Sequence, residues 1–299
     1  MEQVANPFKI DQATYSDTGD LHLIEMILLG NKDALHTLIE RHQQFIFNIA
    51  LKMINNVQDA EDVTQEVLIK IVVKLSSFDS TKGRFRTWLY RITFNHILNI
   101  KKQKYEHMVP DFETFFNYIE NSPTEDMSVE EEVVMSLYIK EARVTCMNGM
   151  LMCLDREQRL IYIMGDVFEI DHQLGGEMFN ISASNFRQKL SRARKDLYQW
   201  MNNRCGLVNK NNPCRCPKKT KGFIAKGWVN PDNMRWHSDY QHSIAELSES
   251  RIEDALDTID KIYVSLYREH PFKHYDKADE LLSTITSHPT LKDIFRLDS

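Results

Sequence analysis

Glycine and proline are scarce in this 299-residue chain, at 10 and 8 residues. Segments of alternating apolar and polar residues are few. A sheet-rich fold needs many tight turns, so a mostly helical, all-α protein is expected. The cysteines number five, an odd count that suits no disulfide framework. No apolar run reaches the length of a signal peptide or of a membrane span, so a soluble, cytoplasmic chain is expected. A Walker loop, an HExxH pair, a Ser-His-Asp constellation and clustered catalytic carboxylates are all missing. Neither an enzyme nor a cofactor is therefore expected.

What is present is charge in blocks. The formal net charge is −6, but the average hides strong asymmetry. Residues 80–104 hold seven Lys and Arg and no acid. Residues 105–141 hold ten acids against the single base Lys140. Residues 185–226 hold twelve bases against the single acid Asp196. A chain that grips a polyanion in two places has this layout.

Along the chain, residues 1–18 are polar and read as a flexible arm. Helical spacing starts near Asp20 and stops at Gly30-Asn31. A second helix spans about Lys32 to Ile54, and Asn55-Asn56 ends it. Asp59-Ala60-Glu61-Asp62 resembles a capping box, followed by an apolar stripe of Val63, Val67, Ile71 and Leu75. Its acids suit either a solvated first turn or a surface for a protein partner. After the turn-rich 76–83, a helix runs from Phe85 to about Lys102. It sets cations beside Trp88, Tyr90 and Phe94, as single-stranded nucleic acid requires. Ordinary core packing is the alternative for each ring.

Residues 105–129 read as an acidic linker, and helical pattern resumes from Glu130 to Trp200. Asp155 to Gln158 forms a second capping box. A short helix His172–Phe179, a turn at Asn180-Ile181-Ser182 and a long helix from Ala183 make a helix-turn-helix pattern. Gly176 would let the two helices approach, Asn180 tolerates a positive φ, and Ser182 caps the second helix. Phe186, Leu190, Ala193 and Leu197 form its buried side. Ser184, Asn185, Arg187, Gln188, Ser191 and Arg192 face outward, where Arg and Gln can read guanine and adenine edges. A helical hairpin with a basic face is the alternative.

DAEDVTQEVLIKI at 59–71, FRTWLYRITFNHILN at 85–99 and SASNFRQKLSRARKDL at 182–197 together resemble the extracytoplasmic-function (ECF) group of the sigma-70 family of bacterial RNA polymerase sigma factors. The resemblance covers about Leu21 to Trp200. It implies a region 2 bundle over 19–104 and a region 4 helix-turn-helix over 130–203. It implies core RNA polymerase as a partner, through the β′ clamp helices and the β flap, with Asp59, Glu61, Asp62, Gln65 and Glu66 as the clamp-docking face. It implies promoter DNA as the other partner. Lys82, Arg84, Phe85, Trp88, Arg91, Asn95 and Asn99 would meet the melted −10 element. Ser184, Asn185, Arg187, Gln188, Lys189, Ser191, Arg192 and Arg194 would meet the −35 element, with Arg194 and Lys195 directed to phosphates. An anti-sigma factor is a further partner of the family. A stand-alone helix-turn-helix regulator is the alternative, and it has no use for a clamp-docking acidic helix.

The chain continues past the usual end of the family. Residues 204–240 form a Cys- and Lys-rich loop segment. Cys205, Cys214 and Cys216 are candidates for a metal site, with His237 as a fourth ligand, although C-x8-C-x-C lacks paired C-x2-C spacing. Free thiols are the other reading. Residues 241–299 form a helical extension, with helices expected over 243–270 and 277–287 and a last turn over 291–297.

Overall fold

The computed structural model describes residue 8 and residues 17–101, 104–109, 111–236 and 272–287. Every regular element among the described residues is helical, beside one isolated bridge between Cys205 and Cys214. The all-α expectation holds. The described residues divide into two compact units. One holds residues 8 and 17–101, with 170–186 and 273–287; the other holds 104–109, 111–169, 187–236 and 272.

In the first unit, helix α1 spans Asp17–Leu28, α2 Lys32–Ile54, α3 Val57–Lys74 and α4 Phe85–Asn99. Asn31 caps α2 by accepting from the Ala34 amide at 2.9 Å. Asn55 closes α2 in the left-handed region, at φ 60, a conformation Asn tolerates. Asn56 then caps α3, accepting from the Asp59 amide at 3.1 Å. The expected cap at Asp59 is thus displaced. Asp59 lies inside the first turn, where a carboxylate still favours the positive end of the helix dipole.

Helix α2 packs on α1, α3 and α4. Leu35, Phe45, Ile46, Ile49, Val67, Ile71, Leu89 and Phe94 are among its core side chains. Each contributes about 1.5–3 kcal/mol by burial. Residues 45–54 of α2 are buried on every side, Asn48 and Lys52 included. Asp20 is buried beside Arg41 and His42, the latter at 3.1 Å. Burial alone would raise its pKa, but the bonds and charges of His42 and Arg41 outweigh it and hold the carboxyl below its usual range. Phe8 is fully buried, 5.8 Å from the Phe45 ring and under the Arg86 guanidinium. That position is anchored, contrary to its place in an expected flexible arm.

In the second unit, the first part of the expected acidic linker is helical. Helix α5 spans Lys104–Met108 and α6 Phe112–Glu120. Asp111 caps α6 through the Thr114 amide at 2.7 Å. Phe112, Phe115, Phe116 and Ile119 recur at helical spacing and are buried. Phe112 and Phe116 stack on Trp200 at 5.7 and 6.2 Å. Helix α7 spans Val129–Val134, α8 Ser136–Met152 and α9 Arg156–Tyr162. Asp155 caps α9 through Gln158 at 2.8 Å, and a π turn, Ile163–Val167, extends it.

Buried Arg159 donates to the carbonyls of Leu151, Met152 and Leu154 at 3.0–3.1 Å and to Glu106 at 3.0 Å. It therefore closes the end of α8 and neutralises a buried carboxylate. Helix α10 spans His172–Phe179 and lies in the first unit; α11 spans Ala183–Arg204 and α12 Cys216–Ala225. The supposed loop segment thus carries α12, which packs on α8. Helix α13, Ala278–Ser287, matches the expected shorter C-terminal helix. The helix expected over 243–270 and the turn over 291–297 lie outside the described residues.

Candidate nucleic-acid interface

The helix-turn-helix is built as its sequence implies. Asp171 caps α10, accepting from Gln173 and Leu174 at 2.8 and 2.9 Å. Asn180 ends α10 at φ 56. Ser182 caps α11 through the Asn185 amide at 3.1 Å. A Cβ on Gly176 would stand 2.8 Å from the Ile181 carbonyl oxygen and 2.9 Å from the Ala183 nitrogen. Only glycine permits that approach.

On α11, Phe186, Leu190, Ala193 and Leu197 are buried. Ser184, Asn185, Arg187, Gln188, Ser191 and Arg192 are exposed, and Lys195 is exposed further along. Lys189 is half-buried, with Nζ 2.8 Å from Glu157. Arg194, expected at DNA, is engaged within the fold although its side chain is 43% exposed. It binds Asp166, wholly buried, at 2.9 and 2.5 Å. A buried carboxylate demands a partner, so Arg194 is held by the core.

On α4, Arg84, Arg91, Asn95 and Asn99 are exposed and Trp88 is half-buried; Lys82 is exposed in the preceding turn, 3.1 Å from Asp79. Steps of three and four place Trp88, Arg91, Asn95 and Asn99 on one stripe. Phe85, three residues before Trp88, is instead at 0% exposure. Its ring lies 5.2 Å from Phe78 and 5.6 Å from Trp88. The expected DNA contact at Phe85 is therefore corrected to a core residue that supports Trp88. Arg86 is buried too, donating to the Tyr90 hydroxyl at 2.8 Å.

Arg91 is engaged by α10. It donates to the Glu177 carbonyl at 2.9 and 3.2 Å and lies 3.3 Å from Asn180 Oδ1. It thereby satisfies a carbonyl in the last turn of α10, where cations are favoured. Phe94 meets Phe179 at 4.8 Å. An open concavity of about 480 Å³ lies alongside, lined by Arg91, Gln173, Glu177, Asn180 and Ser182.

On α3, Asp62 and Glu66 are exposed, and Asp59, Glu61 and Gln65 are half-buried. The opposite face buries Ala60, Val63 and Val67. Glu66 lies 3.1 Å from His96. Burial, reinforced by the Lys70 charge, lowers the His96 pKa against the pull of Glu66. Glu61 lies 2.7 Å from Lys277 Nζ, a pairing across 216 positions that no local pattern announces.

All five cysteines are free. Among the described residues no group of three or more His, Cys, Asp or Glu is arranged to hold a metal ion. Cys205, Cys214 and Cys216 belong to no such group among the described residues, and His237 lies outside them. Burial pushes the Cys214 thiol up to about 11 and that of Cys216 to about 12. The loop closes α11 instead: Asn212 Nδ2 donates to the carbonyls of Asn202 and Cys205 at 2.8 and 3.1 Å. No helix of the described residues is long and apolar enough to cross a membrane.

Residues 38–105 match the family model for sigma-70 region 2. The ECF RNA polymerase sigma factor SigW of Bacillus subtilis is 26% identical over 181 residues, covering 58% of this chain and 92% of that protein. The RNA polymerase sigma-H factor of Pseudomonas aeruginosa is 35% identical over 80 residues, covering 27% of this chain and 41% of that protein. A solved structure described as CnrH in complex with the cytosolic domain of CnrY overlaps at TM-score 0.43 and 19% identity, over 62% of this chain and 97% of that one. The sequence matches favour a polymerase subunit over a stand-alone regulator, and they support an ECF sigma factor of the sigma-70 family.

Proposed function

We propose that the acidic face of α3, with Asp59, Asp62, Gln65 and Glu66 and with Glu61 at its edge, docks on the β′ clamp helices of core polymerase. The exposed stripe of α4 then takes the non-template strand of the −10 element. Trp88 supplies a ring to stack on an extruded base, while Arg84 and Lys82 neutralise phosphates. Asn95 and Asn99 offer amide groups to base edges. Arg91 joins them once it leaves Glu177 and Asn180. The N-terminal half of α11 enters the major groove of the −35 element with Ser184, Asn185, Arg187, Gln188, Ser191 and Arg192. Polymerase performs the chemistry, in the cytoplasm; this chain supplies the address and helps open the duplex.

The observation that carries this reading is the division of α4. Its conformational anchors, Phe85, Leu89, Phe94 and Ile97, are buried. Its polar side carries no acid, and Asn95 and Asn99 are exposed there, with Arg91 held by α10. Run-off transcription with purified core polymerase tests the reading. Specific initiation that needs the added chain is expected. Absence of both core binding and initiation would defeat it.

A further inference from the structure

Promoter recognition gives residues 273–287 nothing to do, yet they are built into the first unit with care. Residues 273–277 form no helix and cross α2 by their backbone. Asn48 donates to the Lys273 carbonyl at 2.9 Å and accepts from the Lys273 amide at 2.9 Å. The Tyr275 amide donates to Gln44 Oε1 at 2.7 Å, and the Lys277 amide to Gln43 Oε1 at 3.1 Å. Three side-chain amides on one face of α2 thus hold a passing strap much as a neighbouring strand would.

Asn48 and Gln43 are 0% and 4% exposed. Buried amides are costly unless bonded, so this face of α2 is made to be covered. Tyr275 stacks on Phe47 at 4.5 Å and 14°. Helix α13 follows on α2, burying Ala278, Leu281 and Ile285.

The strap also reaches α3. Lys277 Nζ lies 2.7 Å from Glu61, one of the acids assigned above to the polymerase. Glu61 keeps the Lys277 ammonium above its ordinary pKa. While that pair stands, the carboxylate is neutralised and its outer side covered.

We propose that the α2–α3 surface is shared in turn by residues 273–287 of this chain and by core polymerase, so that the strap must be displaced before Glu61 can serve docking. The inference rests on the reading of the α3 acidic face given above. Charge complementarity selects the occupant: an acidic edge, a cation on the strap, and a row of amides that binds backbone. The C-terminal extension is then a competitor in cis for polymerase.

The test uses full-length protein, purified bacterial core polymerase, and the variants Tyr275→Ala and Lys277→Glu. Core affinity is measured by fluorescence titration, and hydrogen exchange of residues 273–277 is followed with and without polymerase. Exchange is expected to accelerate in the complex. Both variants are expected to bind core about three- to tenfold tighter, because the closed state they weaken opposes docking. Lys277 sits at the surface, so Lys277→Glu guards against loss of the Tyr275 packing. Equal protection in free and bound protein, or variants that bind no better than wild type, would overturn the proposal. If wild-type protein fails to bind core at all, the docking reading falls with it. If wild type binds and the variants are unchanged, only the strap falls.

Discussion

The two basic blocks of this chain look alike in composition and differ in use. In the block over 80–104, Lys82, Arg84 and Arg91 are exposed, although Lys82 lies beside Asp79 and Arg91 donates to the Glu177 carbonyl, and Arg86 is buried. In the block over 185–226, most cations are already engaged. Lys189 pairs with Glu157, Arg194 with Asp166 and Arg204 with Glu120. Lys218 pairs with Asp126, Lys221 with Glu125 and Glu131. Lys219 donates to the carbonyls of Glu120 and Ser122, and Arg215 to those of Asn212 and Cys214. Arg187, Arg192 and Lys195 are what α11 leaves exposed. Arg204, Lys218 and Lys221 therefore pair with acids of the 105–141 stretch within one unit, and Lys189 and Arg194 with acids beyond it. A count of charges overstates the surface offered to DNA.

Substitutions can break this comparison, and the largest effect is expected at Arg194. Arg194→Ala strands a buried carboxylate and should cost roughly 3 kcal/mol of unfolding free energy, read from the urea midpoint. Arg192→Ala should leave that midpoint in place while reducing the salt dependence of promoter binding by about one counterion. If Arg194→Ala proves stable and impairs only DNA binding, the division between held and free cations is wrong.

Next comes the ring on α4. Trp88→Ala should slow open-complex formation about tenfold, the equivalent of roughly 1.4 kcal/mol from a lost stack. Permanganate footprinting of the melted region would report it. Equal melting by wild type and variant would return Trp88 to the core alongside Phe85.

Lys52 is a cation of a third kind, wholly inside α2. Burial pushes its pKa down to about 7, from 10.5. Between those values the unfolded chain binds the proton and the folded chain does not, so stability rises with pH from about 7 upward. The contribution is absent below the folded value. Stability measured at pH 7 and 8 should rise by about 1 kcal/mol at most from this group, and Lys52→Met should flatten that slope.

The smallest effect is expected at Lys218, whose pair with Asp126 is exposed. Lys218→Ala should change promoter affinity less than about twofold, by filter binding. A larger loss would restore the second block as a DNA surface.

Much of this was legible beforehand because it is local. Helix α2 runs over the expected span because its apolar spacing and the asparagines at both ends act within a few residues. The helix-turn-helix was readable from Gly176, Asn180 and Ser182 for the same reason. The α6 helix was missed because its phenylalanines sit among acids that look like a solvated tether; their three- and four-residue spacing was the overlooked signal. Phe85 was misplaced because aromatic residues on a basic helix serve core and stacking equally well in sequence. Burial alone separates them.

By itself, then, the sequence determined most of the helices, the caps at Asp155 and Ser182, the acidic face of α3 and the polar side of α11, since backbone bonding and side-chain periodicity are short-range. Tertiary structure decided which cations remain available, that Arg194 belongs to Asp166, that Arg91 rests on Glu177, and that Lys277 covers Glu61. Those pairings join residues 28, 86 and 216 positions apart. Such distances are closed only by packing, which brings together charges that composition can count but cannot pair.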